Sequence, residues 1–146
     1  MRQWIQKYGL YVAWLISIIA TAGSLYMSEV LLYEPCRLCW FQRILMYPLV
    51  IILGIAAFEH NTRITRYALP MVLIGGSIST WHILEQKIPG FAQLAPCKVG
   101  IPCNFDYLNW FGFITIPMLA LTAFVLIAIV LIIMGRGAQE QEADNE

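Results

Sequence analysis

Charge is what this sequence has least of. Only 12% of its 146 residues are Asp, Glu, Lys or Arg, while 60% are hydrophobic. A soluble domain carries about 25% charged residues, so a water-dispersed globule is excluded. The few charges also cancel, nine basic against nine acidic. No basic field exists to hold phosphates, which excludes nucleic acid as a partner. Histidine is almost missing: there are two, and neither lies near a cysteine along the chain. That removes the usual interleaved Cys and His patterns of metal fingers.

What remains is apolar, with a mean hydropathy of +0.69. A helix that spans the hydrocarbon core needs about 20 mostly apolar residues. Four charge-free runs meet or approach this: Tyr8–Ser28, Ile44–Phe58, Tyr67–Leu84 and Tyr107–Gly135. The second becomes a full span if Trp40, Phe41 and Gln42 continue its helix, which puts Arg43 near one membrane face, where its long stem can reach polar surroundings. Arg2, Lys7 and the Ala20-Thr21-Ala22 stretch give the first run some likeness to a cleaved secretory signal. Its apolar character resumes as far as Tyr33, however, too long for a signal core and in keeping with a retained anchor. The expected fold class is therefore all-α, an integral-membrane bundle of four helices.

Four spans put both termini on one side and the first and third connections on the other. All four cysteines fall in or beside those two connections: Cys36 and Cys39 after the first span, Cys97 and Cys103 after the third. Every thiol therefore gathers on one face. Counting Lys and Arg gives five on the terminal side and four on the cysteine side, a slight bias toward cytoplasmic termini. Paired cysteines persist as disulfides outside the cytoplasm, so both cysteine-bearing loops are expected to be extracytoplasmic. Residues 1–135 form the expected membrane domain. Residues 136–146 form an acidic cytoplasmic tail with no apolar periodicity, expected to be disordered. Small residues in the third span (Gly75, Gly76, Ser77, Ser79) would let a neighbouring helix approach closely, and Pro48 and Pro117 are expected to kink their spans.

The segment Glu34-Pro35-Cys36-Arg37-Leu38-Cys39-Trp40-Phe41-Gln42-Arg43 carries the most chemistry. Pro35 suits the first turn of a helix. A Cys-x-x-Cys pair starting there brings two sulfurs together near the positive end of the helix dipole, which favours the thiolate. Arg43 falls one turn beyond Cys39 on the same face, where it could stabilise a thiolate at Cys39 or negative charge on a bound acceptor. Three readings compete. A zinc half-site is disfavoured by the five-residue spacing of the second pair and by the distant histidines, so no metal is expected. The second reading is a tetraspan structural or interaction protein with disulfide-stapled loops. A Cys-x-x-Cys bond closes a very small ring, though, and restrains little chain. The third is a redox pair, which such a strained and reducible bond suits.

Ala95-Pro96-Cys97-Lys98-Val99-Gly100-Ile101-Pro102-Cys103 reads as an exposed, bendable loop that an external protein could reach. Lys98 is either a solvated lysine or an aid to a thiolate. The two pairs together suggest a relay, with the loop pair meeting a soluble partner and the membrane-edge pair a lipid-dissolved acceptor. His82, beside Trp81 and ahead of Glu85 and Gln86, is either an interfacial histidine or a donor to that acceptor. Glu29 and Asp106 read as interfacial.

Pro35-Cys36-x-x-Cys39-x-x-x-Arg43 at the mouth of the second span, a later cysteine pair, and Trp110-Phe111-Gly112 with Pro117 entering the fourth span resemble the DsbB family, in particular its short Gram-positive BdbC type. The likeness covers the whole bundle except the acidic tail. It implies a quinone-dependent protein-disulfide oxidoreductase in a bacterial cell membrane. Its partner would be an extracytoplasmic thioredoxin-fold thiol oxidase and its electron acceptor a membrane quinone, ubiquinone or menaquinone. By the same likeness the partner would attack Cys97 and release Cys103, Cys36 would exchange with that loop pair, and Cys39 would react with the quinone. Arg43 and His82 would hold the quinone. Vitamin K epoxide reductase-like proteins carry their loop cysteines before the Cys-x-x-Cys; here the order is reversed.

Overall fold

A computed structural model describes residues 2–88, 90, 100, 102–103, 111 and 114–143. In a hydrocarbon medium every backbone N–H and C=O must find its partner within the protein, and a helix does this locally. Four helices result: α1 (Arg2–Glu29), α2 (Arg37–Glu59), α3 (Thr65–Lys87) and α4 (Ile116–Ala143). All four are long and apolar enough to cross a membrane, and no strand occurs among the described residues. The protein is a multi-pass membrane bundle, as its composition required.

The helices close into a ring. Each packs on its sequence neighbour, and α4 returns to pack on α1. Close approach depends on missing side chains. A Cβ at Gly54 of α2 would meet the Trp14 indole of α1 at 2.9 Å, and one at Gly75 of α3 would run into the Phe124 ring of α4. Leu49, Leu53, Ala56, Ala57, Val72, Phe124 and Ile127 fill the centre. Large apolar side chains such as Ile19, Ile44, Ile51, Leu73 and Ile129 face outward, where lipid tails would cover them.

Between α2 and α3 the chain turns within six residues. His60 takes a left-handed conformation (φ 52°), and its N–H and that of Asn61 both return to the Ala56 carbonyl, ending the helix. The Asn61 side chain then accepts from the Arg63 N–H to start a 3₁₀ turn, Thr62–Ile64, that leads into α3.

Four details depart from expectation. The fourth helix begins at Ile116 rather than near Tyr107, and Tyr107 itself lies outside the described residues. Thr115 accepts from the Met118 and Leu119 N–H groups, so Pro117 occupies the first turn, where its missing N–H costs nothing, and marks a start instead of a kink. Pro35 likewise lies outside α2, two residues before its first residue Arg37, because Cys36 takes the cap. At the other end, α4 continues to Ala143 through a stretch expected to lack regular structure. Ala, Gln and Glu are good helix formers, and extending an existing helix avoids the nucleation cost.

Candidate active site

The site lies where α2 begins and α3 ends. Cys36 caps α2 with extended backbone (φ −69°, ψ 170°), and its sulfur accepts the Cys39 N–H at 3.4 Å. A sulfur in this position takes up one of the orphan donors at the helix start and sits at the positive end of its dipole. One turn on, Cys39 brings its own sulfur to 2.9 Å from that of Cys36. Both are free thiols, so they staple nothing.

The buried stripe of α3 runs Val72, Gly75, Ser79, His82, Glu85, and it aims His82 into the bundle. The histidine is only 1% exposed, so it faces the other helices. Its Nε2 lies 3.1 Å from the Cys103 carbonyl oxygen and 3.6 Å from Cys36 Sγ. A carbonyl can only accept, so Nε2 carries the proton, and Nδ1 accepts from the Gln42 amide at 3.1 Å. Cys36 is thus ringed by donors. The hydrogen bond with the Cys39 thiol, and after it the hydrogen bond from His82, outweigh burial and hold the Cys36 thiol well below its ordinary value of 9.0, at about 4. Cys36 is the thiolate of the pair.

Cys103 is buried and held in a disulfide whose other sulfur lies outside the described residues. The sulfurs of Cys36 and Cys103 and the His82 ring nitrogen all lie within 4.8 Å of one another. A thiolate and a disulfide sulfur are therefore neighbours, which is the arrangement that thiol–disulfide exchange requires. Gln86 adds a donor to the Cys103 carbonyl at 3.4 Å.

Behind the sulfurs, a cavity of about 500 Å³ runs between α1 and α4. Ile19, Ala20, Met27, Leu119 and Leu126 give it apolar walls, and Cys36, Cys39, Gln42, Arg43 and His82 close one end. Arg43 donates to the Ser24 carbonyl of α1 at 3.1 Å and lies over the Trp40 ring, 5.6 Å from its centroid. The Tyr47 hydroxyl, also on the cavity, is buried with no partner among the described residues.

Of the six expected site residues, five converge here: Cys36, Cys39, Arg43, His82 and Cys103. Cys97 lies outside the described residues, as do Lys98 and Asp106. Glu29 is exposed, in keeping with an interfacial place. Sequence reasoning overlooked Gln42 and gave Glu85 no role. A glutamine inside an apolar span was the available signal for the first. For the second it was the three-residue step from His82.

The comparisons with known proteins agree with this geometry. The family model for DsbB, disulfide bond formation protein, matches residues 6–134. Disulfide bond formation protein C of Bacillus subtilis is 60% identical over 120 residues, covering 82% of this chain and 87% of the relative. Probable disulfide formation protein C 1 of Bacillus cereus is 51% identical, covering 85% and 89%. A probable disulfide formation protein of Coxiella burnetii is 44% identical, covering 88% of each. No solved structure matches the chain. A buried thiolate beside a disulfide in a four-helix membrane bundle, together with these relatives, identifies the chain as a member of the DsbB family of disulfide bond formation proteins, which are membrane thiol–disulfide oxidoreductases.

Proposed function

We propose that the chain reoxidises an extracytoplasmic thioredoxin-fold thiol oxidase and passes the two electrons to a membrane quinone. The observation that carries this reading is the meeting of Cys36, Cys39 and the disulfide-bonded Cys103 at the mouth of an apolar cavity. A partner thiolate attacks Cys97 and displaces Cys103. The Cys103 thiolate then attacks Cys36 of an oxidised Cys36–Cys39 pair and releases Cys39. Resolution of these bonds leaves an oxidised partner, a restored loop disulfide and a reduced Cys36–Cys39 pair. That last combination matches the redox state described above, with Cys36 and Cys39 free and Cys103 bonded.

The reduced pair must then lose two electrons and two protons, and a membrane quinone, when bound, supplies a two-electron, two-proton acceptor. The cavity suits one. Its walls are apolar, and the Tyr47 hydroxyl and the Arg43 guanidinium offer donors to ring carbonyls. Arg43 would hold the acceptor and offset negative charge. His82 would help by donating to sulfur at Cys36 and by lining the same end of the cavity. The reading puts both termini in the cytoplasm and both cysteine segments outside a bacterial membrane. Residues 1–135 then serve as the oxidoreductase unit and 136–146 as a cytoplasmic extension.

The test is reconstitution. Purified chain, a reduced thioredoxin-fold oxidase and quinone should give quinol in step with partner disulfide. Cys39→Ser should abolish turnover, and Cys97→Ala should prevent the mixed disulfide with the partner. Normal turnover in Cys39→Ser would overturn the proposal.

A further inference from the structure

The spacing argument against a metal holds along the chain but fails in space. His82, 46 residues from Cys36 in sequence, has its Nε2 3.6 Å from the Cys36 sulfur, and Cys103 Sγ completes a buried triad whose members lie within 4.8 Å of each other. Cys39 offers another sulfur beside Cys36. Tetrahedral zinc has bonds of about 2.3 Å to sulfur and about 2.0 Å to nitrogen, which separates adjacent sulfur and nitrogen ligands by roughly 3.5 Å. The Cys36–His82 distance already meets that requirement.

Two neighbours favour a cation here. Glu85, one turn beyond His82 on the same buried stripe, is 3% exposed, and its Oε2 has no partner among the described residues. It interacts electrostatically with both His82 and Cys36. Burying a carboxylate is costly, and a cation in the adjacent cluster would offset that cost. Gln42 is the second. Ligation through Nε2 requires the His82 proton to move to Nδ1, where the Gln42 amide lies 3.1 Å away. A half-turn of that amide presents its oxygen to the new N–H, so Gln42 can serve the histidine in either tautomer.

The geometry points to a thiophilic divalent cation of the Zn²⁺ class, bound by the reduced chain through Cys36, Cys103 and His82, with Cys39 the sulfur next to Cys36. The site assembles only after a dithiol reduces the Cys103 disulfide: two electrons and two protons pass to the loop pair, and the donor becomes a disulfide. Metal binding itself moves no electrons. The Cys36 and Cys103 sulfurs ligate as thiolates, protons still on them pass to water, and the His82 Nε2–H is replaced by Nδ1–H. Bound metal occupies the Cys36 sulfur and so blocks exchange, which makes the cation an inhibitor of the fully reduced enzyme alone. This inference goes beyond electron transfer to quinone and does not depend on it.

The experiment uses the full chain in detergent, reduced with a phosphine, freed of reductant and titrated with Zn²⁺ or Co²⁺. One ion per reduced chain is expected, with none retained once both cysteine pairs are oxidised. The Co²⁺ form should show the strong visible absorption of a tetrahedral site with thiolate-to-metal charge transfer. Cys103→Ser and His82→Ala should each lose the stoichiometric ion. Gln42→Leu, which removes no ligand, should bind about 10–100-fold more weakly. Retention by the oxidised chain, undiminished binding in Cys103→Ser, or a Co²⁺ spectrum without thiolate charge transfer would each overturn the proposal. Disulfide transfer to quinone, measured in parallel in metal-free buffer, tests the functional reading separately, so either can fail alone.

Discussion

The two halves of this bundle follow opposite rules. Toward the chain termini, helices touch through small residues and aliphatic side chains: Gly54 under Trp14, Gly75 under Phe124, and Ala56, Ala57, Leu49 and Leu53 between them. Toward the cysteines the interior turns polar. Gln42, His82, Glu85 and Cys36 are all buried, the Tyr47 hydroxyl and the Glu85 and Gln86 oxygens lack partners among the described residues, and a large cavity opens. Good packing at one end holds a poorly satisfied arrangement at the other, and the unsatisfied end is where chemistry can occur. Stability and reactivity are thereby assigned to separate halves, and substitutions in each should reveal that division.

Cys36→Ser should have the largest effect on turnover. It should abolish disulfide transfer while leaving thermal unfolding of the detergent-solubilised protein nearly unchanged, since an oxygen replaces a sulfur at a cap that serine suits well. A large fall in melting temperature would show that the polar end also supports the fold. Arg43→Ala comes next. It removes a charged hydrogen bond of about 1.5–3 kcal/mol, and the apparent quinone affinity should drop roughly 10–100-fold, while exchange between Cys36 and the loop pair, followed by trapping mixed disulfides, should persist.

His82→Ala should act on ionisation. In the intact protein, alkylation of Cys36 should stay fast from neutral pH down to about 5 and fail only as pH falls through about 4. Without the imidazole donor this profile should move up by about one unit, a tenfold change in equilibrium. Because the folded-state value is depressed, the thiolate's contribution to stability is fully present above the ordinary value of 9.0 and is lost as pH falls through about 4. An unmoved profile would assign the depression to Cys39 and the helix start alone. Gly75→Val should affect turnover least. Its side chain would collide with Phe124, costing about 1–3 kcal/mol by overpacking, yet turnover per folded molecule should hold.

How much of this could be read in advance depends on the range of each interaction. The spans and the Cys36–Cys39 pair were legible because their signals are local: an apolar run, and two sulfurs three residues apart. The start of α4 was misjudged because Trp110, Phe111 and Phe113 extend the apolar run, while the Thr115 cap and Pro117 decide where the helix begins. His82 meeting Cys36 was not legible, since it depends on how α3 is rotated about its axis. The clue was nonetheless present. Gly75, Ser79 and His82 form one stripe, and the side that carries the smallest residues is the one that turns inward in a membrane.

The strand of chain before Cys36 has a final implication. Only residues 30–36 join α1 to α2, and Leu32 lies there with φ at 55°, a left-handed value that a side-chain-bearing residue adopts at a cost of about 1–2 kcal/mol. Cys36, at its far end, is also tied to α2 as the cap whose sulfur accepts the Cys39 N–H. Cys36 must therefore remain where α2 starts, and any sulfur that trades bonds with it has to make the journey. A change in this link that displaced the start of α2 would carry the reactive atom off its perch.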